Sequence, residues 1–565
     1  MDSTTTFVDP PDILRPQMLE RAVDVEVETN ILEPVSHQYT SRDGGHTRWV
    51  FPAKAVLNAP NAAMVFEIVN GESTGEGTDR RLAFPLMTGG VAMIRRMTVR
   101  SGGQILSQIN ECALYNTIKN IFKSQAYKQN VLDIRHGSQS SQKLKILRNQ
   151  SGSTPVAGYT SGAGLVGYHQ ITNDDIDIQN TWGQNIISDT DVQHLFQKNK
   201  LLRNFDNRGT GPEMSIRLGD LMNFFEDNNL PLLAMAQTEL EIEWYAGPAA
   251  TTRYDAINSS PVIVNNLATA GATVGLNIGF AAPPILTLDY IHYPEDEQAK
   301  IMNEIQNNGL RLNFKEVVTT FGVNPEKTAG DGTSTITSNH ILGMAGKEVK
   351  KIFIVKNLDK LSTQGQVERN NVQGGCQTHV NQYLWDNKSV QTVNENYNFI
   401  VNNERMYGLD IANPSQAYNQ LQQCDQVAHV LPAQYDSMNF NADILSLLNN
   451  TGDAGTVDNA AGNSAVTQRI LGASMNVIGM NLDKYNEMGN AMGNGTRIGS
   501  APIEFRYSCS KTRDAGTPAN ENSAAVNLTF FIEYRRSLVI DKFGVNVSRS
   551  INYLNLFSFK NYYVL

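Results

Sequence analysis

At 565 residues the chain exceeds what one hydrophobic core serves, because single cores stop growing near ~250–300 residues, and two large domains are expected. Apolar residues make up 41% and charged residues 18%, a foldable but neutral and polar composition that excludes global disorder. The formal net charge of -10, with no Lys/Arg run longer than a pair, excludes the electrostatic footprint of a dedicated nucleic-acid binder.

Met1 to Pro16 carries Asp2, Asp9 and Asp12 and no apolar run, so it does not read as a signal peptide. Residues 1–34, with Pro10-Pro11, Pro16 and Pro34, read as an N-terminal arm. Thr47–Phe51 and Met64–Val69 alternate apolar and polar residues with the period of a half-buried strand. Gly71-Glu72-Ser73-Thr74-Gly75 matches GxSxG, but Glu76-Gly77-Thr78-Asp79-Arg80 follows as a loop where a nucleophile elbow needs a helix. Met93–Val99 and Ile105–Ile109 read as a hairpin, its turn supplied by Gly102-Gly103, which tolerate the positive φ of a primed turn. Leu114–Phe122 is a helix candidate.

Residues 127–215 read as a long loop. Inside it Gly162-Ala163-Gly164-Leu165-Val166-Gly167 matches GxGxxG without the flanking strand and helix that aim amides at a pyrophosphate. Asp174, Asp175 and Asp177 offer hard oxygen donors, yet no further ligand stands at a spacing that completes a site. Asp220 is placed to cap a short helix over Leu221–Phe225. Thr238–Trp244 is the clearest strand: Leu240, Ile242 and Trp244 face a core while Glu239, Glu241 and Glu243 face water, and a one-residue slip would bury three carboxylates.

Residues 246–284 read as a second loop; the uncharged stretch Ala256–Leu288 holds too many Asn, Thr and Pro residues for a membrane span. Ile285–Tyr290 is a strand. Pro294, the acidic Glu295, Asp296 and Glu297, the stripe Ile301, Met302 and Ile305, and Gly309 delimit a linking helix over 295–308. Lys351–Val355 and Leu528–Tyr534 are strands on either side of a polar loop, 357–500. Gly346-Lys347 is no P-loop, since Ile341 stands where its first Gly belongs.

Cys112, Cys376, Cys424 and Cys509 form no CxxC and fit buried free thiols in a reducing compartment. The histidines show no metal-ligand spacing, which argues against a metal site of the double-cupin kind. No catalytic, cofactor-binding or metal-binding residue is assigned. Two internal matches suggest duplication: Leu240–Trp244 with Phe530–Tyr534, for which Leu286-Thr287-Leu288 against Leu528-Thr529-Phe530 is an alternative, and Tyr115–Ile118 with Tyr418–Leu421. Many short strands with few helices predict an all-β fold of sandwich class.

Thr47-Arg48-Trp49-Val50-Phe51-Pro52, Phe84-Pro85, Gly89-Gly90, Ile94-Arg95-Arg96 leading to Gly102-Gly103, and Tyr115 follow one another in an order that resembles the first jelly roll of Polinton-like virus and virophage major capsid proteins. Leu218–Pro231 and Leu288-Asp289-Tyr290-Ile291 with Glu297 are similar to the same family, over roughly residues 45–310. The resemblance implies two tandem jelly-roll β-sandwiches with few short helices and long loops. Their limits are expected as an arm at 1–34, a first jelly roll at 35–296, a linking helix at 297–310, a second jelly roll at 311–547 and a C-terminal arm at 548–565. It implies a structural major capsid protein of an icosahedral DNA virus, neither enzyme nor cofactor carrier, whose homotrimers form pseudo-hexameric capsomers and then a lattice. Penton and minor capsid proteins are implied partners, with an internal membrane as a further candidate and no specific nucleic-acid binding. The place of action is the virion, assembled inside the host cell and not reached through a signal peptide. The alternative is a tandem β-sandwich carbohydrate-binding protein or glycoside hydrolase, for which Trp49, Trp182, Trp244 and Trp385 would stack on sugars.

Overall fold

Alternation of apolar and polar side chains decides most of the architecture. In the computed structural model, residues 25–70, 80–83, 89–136, 210–246, 263–266, 278–358, 395–424, 477–484, 494–516 and 523–548 are described, with short breaks inside these spans. The first half contains strands β1 (Glu26–Leu32), β2 (Ser36–Thr40), β3 (Gly44–Phe51), β4 (Ala63–Asn70), β5 (Ile94–Ser101), β6 (Gln104–Asn110), β7 (Thr210–Arg217), β8 (Thr238–Trp244) and β9 (Ile285–His292). They form two facing antiparallel sheets, β1-β9-β4-β7 and β3-β8-β5-β6, with β2 added to the free edge of β3.

The second half repeats the plan with β10 (Leu310–Asn324), β11 (Gly332–Leu342), β12 (Glu348–Leu358), β13 (Asn396–Val401), β14 (Glu404–Arg405), β15 (Val477–Asn481), β16 (Ile503–Arg513) and β17 (Val526–Asp541). Its sheets are β10-β17-β12-β15 and β11-β16-β13-β14. With β2 left aside, eight principal strands among the described residues of each half pair in the orders 1-8-3-6 and 2-7-4-5. This is the jelly-roll connectivity, met twice in one chain.

The register of β8 is the expected one: Leu240, Ile242 and Trp244 are buried. On the opposite face Glu239 pairs with Arg48 at 2.8 Å, Glu241 with Arg100 at 3.0 Å, and Glu243 with Arg96 at 2.6 Å and Arg95 at 3.0 Å. The hairpin β5–β6 turns at Gly102 and Gly103, with φ of +55° and +83°. Helix α1 (Cys112–Ile121) follows β6, α2 (Glu295–Asn308) joins the two halves, and α3 (Pro414–Gln423) follows β14. Gly309 ends α2 at φ +73°, donating its N–H to the Ile305 carbonyl at 3.0 Å.

Two buried clusters result among the described residues. The interior of the second sandwich, with Ile352, Ile354, Phe399, Phe505, Tyr507, Phe530 and Ile532, forms one. The interior of the first sandwich forms the other, and it continues without a break onto Leu310, Leu312, Phe314, Phe353, Phe531, Leu538 and Ile540 of the second half. Strand β17, 16 residues long, therefore enters both cores, and β10, 15 residues long, lines the continuous one and touches the other through half-buried Val318. A shared core over strands of about 50 Å joins the sandwiches as one body.

Several expectations are corrected. Glu26–Leu32 is not part of an arm but a paired strand of the first sandwich. The span 127–215 ends in β7, and 357–500 contains β13, β14, α3 and β15, so neither is wholly loop. Asp220 caps nothing: it lies inside the short helix Leu218–Leu221, whose N-cap is Arg217, and Asn223–Phe225 is a separate 3-10 turn. Of the internal matches, the two helical segments do follow equivalent strands, β6 and β14. Leu240–Trp244 against Phe530–Tyr534, however, sets a seventh strand against an eighth, whereas Leu286–Leu288 against Leu528–Phe530 sets eighth against eighth. Period-two alternation cannot distinguish these, because every half-buried strand carries it.

Candidate assembly interface

The first sandwich meets the second along a seam in which the edge strand β6, helix α1 and the segment around Phe224 lie against β10 and β17. Apolar contact comes from rings: Phe224 on Phe314 at 5.1 Å, Tyr115 on Phe531 at 5.6 Å, and Phe122 on Phe353 at 5.9 Å. Polar contact is buried with it. The Tyr115 hydroxyl donates to Glu533 Oε1 at 2.5 Å and accepts from Asn223 Nδ2 at 3.1 Å. On the first-half side of the seam Lys119 Nζ donates to Asn223 Oδ1 at 2.9 Å and, toward solvent, to the exposed Glu226 Oε2 at 3.1 Å. Burial, and then the Glu533 carboxylate, hold the Tyr115 phenol well above the ordinary tyrosine range.

Glu316 is the second polar contact. Its Oε1 accepts the Gln108 backbone N–H of β6 at 3.1 Å, and its Oε2 lies 3.3 Å from Arg536 Nη1. Burial pushes the carboxyl up to about 7, a rise that Arg536, the Gln108 amide and Ser107 offset only in part. Above it the Thr319 hydroxyl donates to the Asn110 carbonyl at 3.0 Å, and below it Asn228 Nδ2 donates to the Asn313 carbonyl at 2.8 Å. A seam filled this way resists both shear and opening, since each buried polar atom loses a partner if the halves shift.

The first-strand faces of the two sandwiches are treated differently. On β10 the seam buries Glu316 and Val317. On β1 and just beyond it Val27, Ile31 and Val35 are 62%, 64% and 66% exposed. Strand β1 pairs only with β9, so its outer edge is open among the described residues. The second sandwich also presents apolar residues after its fifth strand, where Met406 is 41% and Leu409 is 84% exposed.

No family model matches the sequence, and no curated protein matches it. Among solved structures the chain is similar to PBCV-1 VP54 as fitted into a cryo-EM reconstruction of the virophage Sputnik, at 10% identity and TM-score 0.48, over 94% of this chain and 98% of that one. It is also similar to the Faustovirus major capsid protein, at 10% identity and TM-score 0.46 over 93% and 92% of the two chains, and to the mavirus major capsid protein, at 9% identity and TM-score 0.41 over 94% and 92%.

The motifs weighed for chemistry fall apart from this interface. The GxSxG and GxGxxG matches, Asp174, Asp175, Asp177, Trp182, Trp385, Cys376 and, past its first residue, the C-terminal arm all lie outside the described residues. Trp49 and Trp244 are buried, their Nε1 donating to the Pro284 carbonyl at 3.2 Å and to Thr47 Oγ1 at 2.8 Å, so neither offers a face to a sugar. Cys112, Cys424 and Cys509 are buried and form no disulfide. Among the described residues no three His, Cys, Asp or Glu side chains converge as a metal site, and no helix is long and apolar enough to cross a membrane. Sequence reasoning missed β1 and Glu316. Val25-Glu26-Val27-Glu28 does alternate and could have revealed the strand; Glu316 carries no local signal, because its partners on β6 are 208 residues away.

Proposed function

We propose that the chain is the major capsid protein of an icosahedral DNA virus, a structural subunit that catalyses nothing and acts in the virion. The observation that carries this reading is the duplicated jelly roll joined through a buried seam. A subunit with two sandwiches of the same connectivity, held at a fixed angle by a shared core, lets three copies supply six similar units around one axis. The seam is a heterologous contact, in which one patch meets a different patch. Repeated between copies, such a contact closes into a ring when its rotation allows. The family resemblance of residues 45–310 supports the same reading, as does the outer face of β8, whose three glutamates pair with arginines of the same sheet.

In this reading the sandwiches are grouped as homotrimers of pseudo-hexagonal outline, and the trimers tile a shell. Its vertices and inner side call for penton and minor capsid proteins, and an internal membrane is compatible with it. The domain limits fit two shell units joined by α2, with the first unit opening at β1. Sedimentation of the purified full-length chain and negative-stain electron microscopy of its assemblies provide the test. Trimers with a six-lobed outline are expected. A monodisperse monomer at micromolar concentration overturns the proposal.

A further inference from the structure

The edge of the first sandwich is fastened to the second by side chains, and we infer that this fastening is a proton-sensitive latch: β6 lets go of β10 when the Glu316 carboxyl loses its proton, while the sandwiches themselves stay folded. The latch stands apart from the shell-subunit reading and has its own experiment. Strand β6 is the outermost of its sheet among the described residues and pairs with β5 alone. No strand completes its outer edge. Two side chains of β10 reach across to it instead: Glu316 Oε1 accepts the Gln108 N–H at 3.1 Å, and the Thr319 hydroxyl donates to the Asn110 carbonyl at 3.0 Å. An edge held by side chains gives up fewer hydrogen bonds on opening than one held by a full ladder, and Ile105 on the same strand is already 42% exposed.

Proton sensitivity comes from where the carboxyl sits. Glu316 is 4% exposed, and its Oε2, 3.3 Å from Arg536 Nη1, makes no hydrogen bond. Burial with so few donors disfavours the ionised form, which an opened latch returns to water. The groups around it are Arg536 and Tyr534 of β17, Ser107 and Gln108 of β6, and Lys347 in the turn before β12, whose Nζ stands 4.3 Å from the centre of the Tyr534 ring. Strand β6 brings no ionisable side chain. Lys315, the neighbour of Glu316 on β10, belongs to the opposite sheet face, near Glu226. Burial holds the Glu316 carboxyl up to about 7, with Arg536 opposing it. The closed latch therefore keeps a proton that the open one releases, so closure is fully supported below 4.5 and weakens as pH climbs through 7. Lys347, held below the ordinary lysine range by burial and by Arg536, acts in the opposite sense, because a depressed amine favours the closed form as pH rises.

Hydrogen exchange of the full-length chain, read by mass spectrometry on fragments covering Gln104–Asn110 and Thr238–Trp244, tests the latch. After correction for intrinsic exchange rates, the opening equilibrium of β6 should rise about tenfold from pH 6 to pH 8, as a carboxyl at about 7 when closed and 4.5 when open requires. The β6 fragment should also be less protected than the β8 fragment at both pH values. E316Q removes the titrating group and should open to the same extent at pH 6 and pH 8. T319V removes only the bond to Asn110; it should open more at both and keep the tenfold rise, so the answer does not depend on E316Q folding. A β6 fragment as protected as β8 opens only with the whole chain and overturns the inference. So does a parent whose β6 opening is the same at pH 6 and pH 8, an E316Q chain that keeps the rise, or a T319V chain that loses it.

Discussion

Glu316 is the group whose substitution probes the seam most directly. Folding moves its carboxyl from 4.5 to about 7, burial being the largest cause. Between those values the folded chain holds a proton that the unfolded chain has released, so stability contributed at this site is greatest below pH 4.5 and is lost as pH rises through 7. A shift of this size corresponds to about 3 kcal/mol at ~1.36 kcal/mol per unit. Glu316→Gln keeps the shape, removes the titration and cannot lose that amount. The difference in Tm between variant and parent should therefore move in favour of the variant as pH rises from 5 to 8. The expected change is about 2–3 °C, for a chain this long unfolding as one unit at ~2.1 cal/mol/K per residue. Differential scanning calorimetry across that range measures it, and taking the difference cancels other titrating groups. Melting curves that run parallel from pH 5 to 8 would refute both the burial of Glu316 and its place in the seam.

Three further outcomes are expected. Leu240→Ala, in the core of the first sandwich, should cost about 2–5 kcal/mol in denaturant unfolding through the cavity it leaves; a loss within about 0.5 kcal/mol would place Leu240 at the surface. Tyr115→Phe takes the buried hydroxyl away from Glu533 and Asn223 and should cost about 1–3 kcal/mol with the strand signal in circular dichroism intact, whereas an unchanged denaturation midpoint would mean that the halves do not meet there. Burial holds the Cys112 and Cys509 thiols up to about 12 and about 11, so thiol labelling read by mass spectrometry should miss both in the folded chain at pH 8, and prompt labelling of either would contradict its burial.

Much of the fold was legible because strands with one wet face write their register into the sequence. Thr238–Trp244 and the hairpin about Gly102-Gly103 fall where alternation and turn chemistry put them, and α2 runs over the 295–308 that its acidic first turn and Gly309 delimit. Legibility failed where the wet face is built from Thr, Ser and Asn. Strand β11, Gly-Thr-Ser-Thr-Ile-Thr-Ser-Asn-His-Ile-Leu, has polar residues on both faces through most of its length and so lacks contrast between them, although Thr333 and Thr335 meet Thr512 and Ser510 across the sheet. Strand β1 was masked by the proline-rich segment before it.

The candidate interface divides in the same way. The exposed apolar residues Val27, Ile31 and Leu409 are visible in the sequence only as hydrophobic letters, and nothing local separates them from Val317 or Phe531, which are buried. What the sequence by itself determined is the face of each strand, since side-chain direction alternates with every residue whatever lies opposite. What only the tertiary structure decided is which of two equivalent sheet faces is covered. That choice depends on β6 and α1 meeting β10 and β17 across some two hundred to four hundred residues of chain. The same meeting turns Glu316 from an ordinary carboxylate into a buried, proton-binding one, because desolvation is a property of the neighbours and not of the residue.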